Sequence, residues 1–150
     1  MTNPTRVRIP DGPRWPDVEK AMVTLLDDIL TELDPPGYAC IVPPDNYDEL
    51  VHQGVAIITV QRAGGAAERI DDHPSVFVSV TTAYRSDSWD VLGWLRGKLH
   101  DFNGTVTNPD GTTAIIRSIS DLRGPQRDPD PNPDFRRVSQ GFAVVTRLDR

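Results

Sequence analysis

Asp71-Asp72-His73 sets two carboxylates beside an imidazole, the residue types that hold a divalent metal. The spacing argues against a metal, because neighbours on an extended chain point to opposite sides. Followed by Pro74, the triplet reads as a solvated loop, and His52 and His100 fall in other segments. Cys40 is the sole cysteine, so neither an intrachain disulfide nor a cysteine-based zinc set can form. It lies in the apolar run Tyr38–Val42 and reads as a small buried hydrophobe. Gly64-Gly65 could bare backbone N–H groups to an anion, yet neither a lysine nor a helix cap follows. The pair reads as a flexible hairpin tip, where glycine supplies positive φ cheaply. Gly97-Lys98 is followed by Leu99 and lies in a helical pattern, so it is not a phosphate loop. The chain has no G-x-G-x-x-G, G-x-S-x-G or H-E-x-x-H motif. Asp27, Asp28, Glu32 and Asp34 fall on the polar side of a helical pattern and read as a solvated face. No catalytic, cofactor-binding or metal-binding residue is assigned, and no cofactor is expected.

Positions without chemistry still need a scaffold. At 150 residues the chain suits one domain, and Leu, Ile, Val and Phe together form about a quarter of it, enough for a core. The formal charge of −6 argues against a general nucleic-acid binder, which must neutralise phosphates. Of its basic residues only Lys20 and Lys98 are lysines; the rest are arginines, which suit planar pairing with carboxylates at interfaces. No apolar stretch approaches the length of a signal peptide or a membrane span.

The residues divide into an extended, proline-bearing arm over 1–14 and a single domain over 15–150. Val18, Ala21, Met22, Leu25, Leu26, Ile29, Leu30 and Leu33 recur at helical spacing, with Pro16 and Asp17 at the start and Pro35-Pro36-Gly37 at the end. Tyr38–Val42 predicts a short strand. Val55–Arg62 and Ser75–Arg85 predict a hairpin, with Ala63–His73 as its long protruding connection. Ser86-Asp87 offers an N-cap for a second helix reaching Phe102, buried through Trp89, Leu92, Leu95, Leu99 and Phe102. Gly93 and Gly97 suggest close packing of that helix on the sheet. Trp94 lies roughly 140° round the helix from Trp89, which leaves it as a candidate interface anchor. Asn103-Gly104 closes the helix. Thr113–Ile119 and Val138–Leu148 predict the last strands, separated by a loop over Gly124–Pro133. Gly141 marks a bulge or a close backbone approach. The expected fold is α+β, in the order α-β-β-β-α-β-β, with a mostly antiparallel sheet against two helices.

Certain features carry a family resemblance: Gln61-Arg62 before Gly64-Gly65, the acidic segment, the strand Val76–Tyr84, Arg85-Ser86-Asp87 ahead of the second helix, and the final stretch Arg136–Arg147. In this order, over about residues 15–148, the sequence resembles the tail terminator proteins of lambda-type long-tailed phages, as found in phages of actinobacteria. The resemblance implies a virion structural protein, with no enzymatic role. It implies a homohexameric ring, assembled in the host cytoplasm, at the head-proximal end of the tail. Such a ring caps the tail tube protein, ends its polymerisation and offers a docking face to the head–tail connector. DNA passes through its lumen without specific binding, which a negative chain would favour.

For such a role the candidate interface residues are Arg62, Gly64, Gly65, Glu68, Arg69, Asp71 and Asp72 on the hairpin, with Trp94, Arg136 and Arg137. Arg136 and Arg137 are expected in ion pairs between subunits. A head–tail connector or neck subunit fits the same order of elements. A small α+β enzyme or ligand-binding regulator would instead require a concave polar pocket with shifted titratable groups.

Overall fold

The computed structural model describes residues 4–148; residues 1–3 of the expected arm and the last two residues lie outside them. The chain folds as α+β. Helix α1 runs over Val18–Leu30, strand β1 over Tyr38–Cys40, helix α2 over Tyr47–His52, β2 over Ile57–Glu68 and β3 over Asp71–Thr82. Helix α3 follows at Arg85–His100, then β4 at Gly104–Thr107, β5 at Thr113–Asp128 and β6 at Arg136–Arg147. The six strands form one sheet in the order β1-β2-β3-β6-β5-β4, antiparallel except where β1 runs parallel to β2.

The side chain of Asp17 caps α1 by accepting the Lys20 N–H at 3.2 Å. The helix buries Val18, Ala21, Met22, Leu25, Leu26 and Leu30 along one stripe. The chain then folds back tightly: Gly37 N–H donates to the Leu30 carbonyl, and a Cβ at Gly37 would sit 2.9 Å from the Leu30 side chain. Against α1 and α3 the sheet presents Ile58, Val60, Val76, Val78, Val80, Ile116, Val138, Phe142 and Val144, all within one core. The sheet curls until both ends reach α1. At one end Asp27 accepts the Ala39 N–H at 3.1 Å; at the other Thr24 donates to Asn108 Oδ1 at 2.7 Å and Lys20 pairs with Asp110. The opposite face carries a second, smaller cluster of Cys40, Val51, Ile57 and Phe135. There burial raises the Cys40 thiol pKa to about 11, with the Asp27 charge adding to it.

Several features depart from the sequence expectations. Helix α2 and strand β4 were not expected, each being too short to show a period. The segment 63–73 is not a long connection, since most of it is paired strand: Ala66, Ala67 and Glu68 face His73, Asp72 and Asp71, and only Arg69-Ile70 turn. Gly64 therefore lies in a bulge of the hairpin arm, with Gly65 paired to Pro74 beside it, and neither is at the tip. Likewise β5 continues through Gly124 to Asp128, because breaks in register near Arg123 absorb Gly124 and Pro125 on a strand whose outer edge β4 leaves unpaired beyond Ile116. Helix α3 begins at Arg85, with Tyr84 as N-cap and no side-chain cap, so the cap stands two residues ahead of the expected Ser86. Gly93 and Gly97 face open space and do not mediate close packing on the sheet. Gly141 is the close approach that the sequence suggests: a Cβ there would stand 3.2 Å from the Phe77 ring.

Candidate assembly interface

The hairpin bulge is held by one arginine. At Gly64 and Gly65 the backbone turns through φ of 87° and 93°. Arg62 Nε donates to the Gly64 carbonyl at 3.0 Å, and its Nη1 and Nη2 donate to both Asp72 carboxylate oxygens at 2.8 and 3.1 Å. Asp72 is only 3% exposed, so its charge is satisfied by this planar fork. The backbone N–H of Arg62 donates in turn to Glu19 of α1 at 3.0 Å. Four of the hairpin candidates, Arg62, Gly64, Gly65 and Asp72, thus form an internal clamp that aims the hairpin. Asp71 is also engaged within the chain, accepting from Arg117 of β5 at 3.0 Å. Asp71 and Asp72 point to different partners, as adjacent residues on a strand must.

Beyond the clamp, Glu68 and the φ-positive Arg69 stand exposed at the hairpin's turn. Neither makes an ion pair within the described residues, so the tip offers one free charge of each sign.

The other candidates are placed elsewhere. Arg136 is exposed and bonds the Pro133 and Phe135 carbonyls through Nη1. Arg137 is half-buried; its Nε donates to Asp128 at 3.1 Å, and Asp130 stands 4.0 Å away. Its guanidinium is therefore committed within its own chain. Trp94 and Trp89 are both half-buried at the flanks of the α3 stripe of Ser88, Leu92, Leu95 and Leu99. The Lys98 ammonium sits over the Trp94 ring, 5.8 Å from its centroid. The structure thus separates Trp94, the hairpin tip and the Arg136–Arg137 pair into three places.

Sequence reading missed a further tie on the surface. Asp121 of β5 receives Nε and Nη2 of Arg96, pairs with His100 Nε2 at 2.7 Å and accepts from Gln140 at 2.5 Å. The Arg96 bonds foremost, with help from His100, hold the Asp121 carboxyl down to about 2 despite some desolvation. Arg96 and His100 lie one helical turn apart, a signal the sequence carries, but the strand residue they share was not identifiable from it.

The three histidines do not converge with one another among the described residues. The His52 ring bonds its own helix at the Asp48 carbonyl, His73 is exposed and His100 is tied to Asp121. No group of three metal-ligating side chains occurs among the described residues, and no helix in them is long and apolar enough to cross a membrane.

No curated protein matches this chain. The profile of the family described as phage tail termination protein matches residues 14–150, nearly the whole chain and all of the folded part just described. A sheet tied to α1 at both ends and a hairpin braced by Arg62 suit a structural part of a phage tail, and the chain belongs to the phage tail termination protein family.

Proposed function

We propose that this chain ends the growth of the phage tail tube. A ring of its copies, six in number, seats on the head-proximal end of the tube, blocks further tube subunits and presents its other face to the head–tail connector. The family match over residues 14–150 carries this reading. The shape of the domain supports it. Beyond their short partners β1 and β4, strands β2 and β5 leave open edges on opposite sides of the sheet, so one side of a copy can meet the other side of the next.

In this reading the free pair Glu68 and Arg69 meets the tube or a neighbouring copy, aimed by the Arg62 clamp. Trp94 and Arg136 belong to lesser contacts. The lumen lets DNA pass: the chain carries −6, and Arg62, Arg96, Arg117 and Arg137 are each neutralised by an aspartate of the same chain. Assembly takes place in the host cytoplasm before the tail joins the head.

The test is a phage carrying Glu68→Arg with Arg69→Glu. The purified variant should keep the wild-type circular dichroism, because neither side chain supports the fold. Tails from that phage should be over-long and headless under the electron microscope; tails of normal length would refute the role of the tip. Loss of the whole gene should give the same over-long tails if the chain is a terminator. Tails of normal length that fail to join heads would show a connector instead, as would co-purification with the portal side rather than with tube protein.

A further inference from the structure

Between the C-terminal end of α1, helix α2 and the first turn of α3 lies a cleft of about 370 Å³. Its walls include Leu33, Pro35, Val51 and Val91, with Tyr84 at 71% exposure among its lining residues. Asp34, Asp87 and Asp90 also line it, and none of the three makes an ion pair within the described residues. An apolar slot with unneutralised carboxylates fits a segment that is aliphatic on one side and cationic on the other.

The chain carries such a segment. In Thr5-Arg6-Val7-Arg8-Ile9-Pro10 arginine alternates with aliphatic residues, so an extended backbone turns Arg6 and Arg8 one way and Val7 and Ile9 the other. Val7 is 85% and Ile9 63% exposed, and Arg6 and Arg8 have no ion-pair partner among the described residues. Pro10 keeps Ile9 extended, which lowers the entropy lost on docking.

Donor and acceptor lie at opposite ends of α1. The arm leaves the fold beside Asp17 and Lys20, at the helix N-terminus, whereas the cleft opens past its C-terminus. The 13 residues of α1 span about 20 Å. The five steps from Arg14 back to Ile9 reach about 17 Å when fully extended, and the seven back to Val7 about 24 Å. An arm folded back along its own helix can therefore bring Val7 to its own cleft but leaves Ile9 short of it, whereas the arm of a neighbouring copy can seat both.

We infer that residues 5–10 of one copy dock in the α1–α2–α3 cleft of the next copy, with Val7 and Ile9 inward and Arg6 and Arg8 toward Asp34, Asp87 and Asp90. The contact is heterologous, head to tail, and such contacts close into rings when the rotation permits. The inference rests on the ring reading and supplies the clasp that joins its copies.

Two full-length variants test it, with the wild-type chain in parallel. In a Cys40→Ala background, Val7→Cys with Tyr84→Cys is treated with a short bis-maleimide. A ladder of covalent oligomers, closing at the ring size, is expected; cross-links confined within single chains would overturn the exchange. Val7→Asp with Ile9→Asp leaves the core untouched, and should weaken self-association in sedimentation at least about tenfold, as expected when two buried aliphatic anchors are lost. Wild-type self-association in that variant, with no ladder in the other, would also overturn the inference while leaving a ring held by other contacts. A wild-type chain that stays monomeric, alone and with tube protein, would instead sink the ring reading itself.

Discussion

Asp72 is the most buried carboxylate of the hairpin, and its two oxygens are both taken by one guanidinium. Removing that partner leaves a charge in a site water reaches poorly. Arg62→Ala should therefore cost about 2–4 kcal/mol, somewhat under the range for a fully buried pair because Arg62 itself is partly exposed. The neighbouring glycines separate two further effects. A Cβ at Gly65 would fall 2.1 Å from the His73 carbonyl oxygen and 2.6 Å from the Pro74 Cα, contacts that only a backbone shift could relieve. At Gly64 the space is open and only the positive φ opposes a side chain. Gly65→Ala should thus destabilise by about 3 kcal/mol or more and Gly64→Ala by about 1 kcal/mol. Urea denaturation ranks them, and equal losses would show that the bulge is not locked as described. Lost hydrogen-exchange protection over 66–73 in Gly65→Ala would place the damage in the hairpin.

At the scale of elements, legibility followed length and period. Helix α1 and the Leu92, Leu95 and Leu99 stripe of α3 were readable because burial on one face imposes a 3.6-residue period over several turns. Helix α2, at six residues, and β4, at four, are held by their neighbours and carry too few apolar positions to show one. The distal hairpin looked like a loop because Gly64, Gly65 and the charged residues after them are typical of loops. It is ladder because the backbone bonds to β3 whatever the side chains, and a bulge accommodates the glycines. The candidate site was legible only in part. Sequence could single out Glu68 and Arg69, but the commitment of Arg62, Asp71 and Arg137 to partners of their own chain depends on register and curl. The tie from α3 to β5 was invisible for the same reason, and it carries a pH dependence. Asp121 has its carboxyl depressed to about 2 in the folded chain, against an ordinary value of about 3.9. Its stabilising contribution is therefore complete above about pH 4 and is lost as pH falls toward 2. Asp121→Asn should cost about 1 kcal/mol at pH 7, as befits a partly exposed pair, and the gap to wild type should close between about pH 4 and pH 2. A gap that stayed constant across this range would assign the loss to packing instead of charge.

On the scale of the whole molecule, α1 binds the sheet to itself. One end of the sheet is attached through Asp27 and Ala39, the other through Thr24, Lys20 and the Asn108–Thr112 turn, so strands remote in sheet order share one helix. In the proposed ring such a subunit would carry load on either edge into the same core. The consequence for folding is that neither end can detach without uncovering α1, and the domain should unfold in a single step. Leu26 is fully buried at the centre of that helix. Leu26→Ala should cost about 2–5 kcal/mol through lost burial and the cavity left behind. It should do so without splitting the transition, because both ends of the sheet lose support together. Urea titrations followed by tryptophan fluorescence, which reports α3 through Trp89 and Trp94 and the approach to α1 through Trp15, and by far-ultraviolet circular dichroism, which reports the whole backbone, should share one midpoint in wild type and variant. Separate midpoints in the variant would mean that the β1–β2 end melts away from the rest. The two edges would then be mechanically independent, and the proposed ring would need bracing by contacts between copies and not by α1.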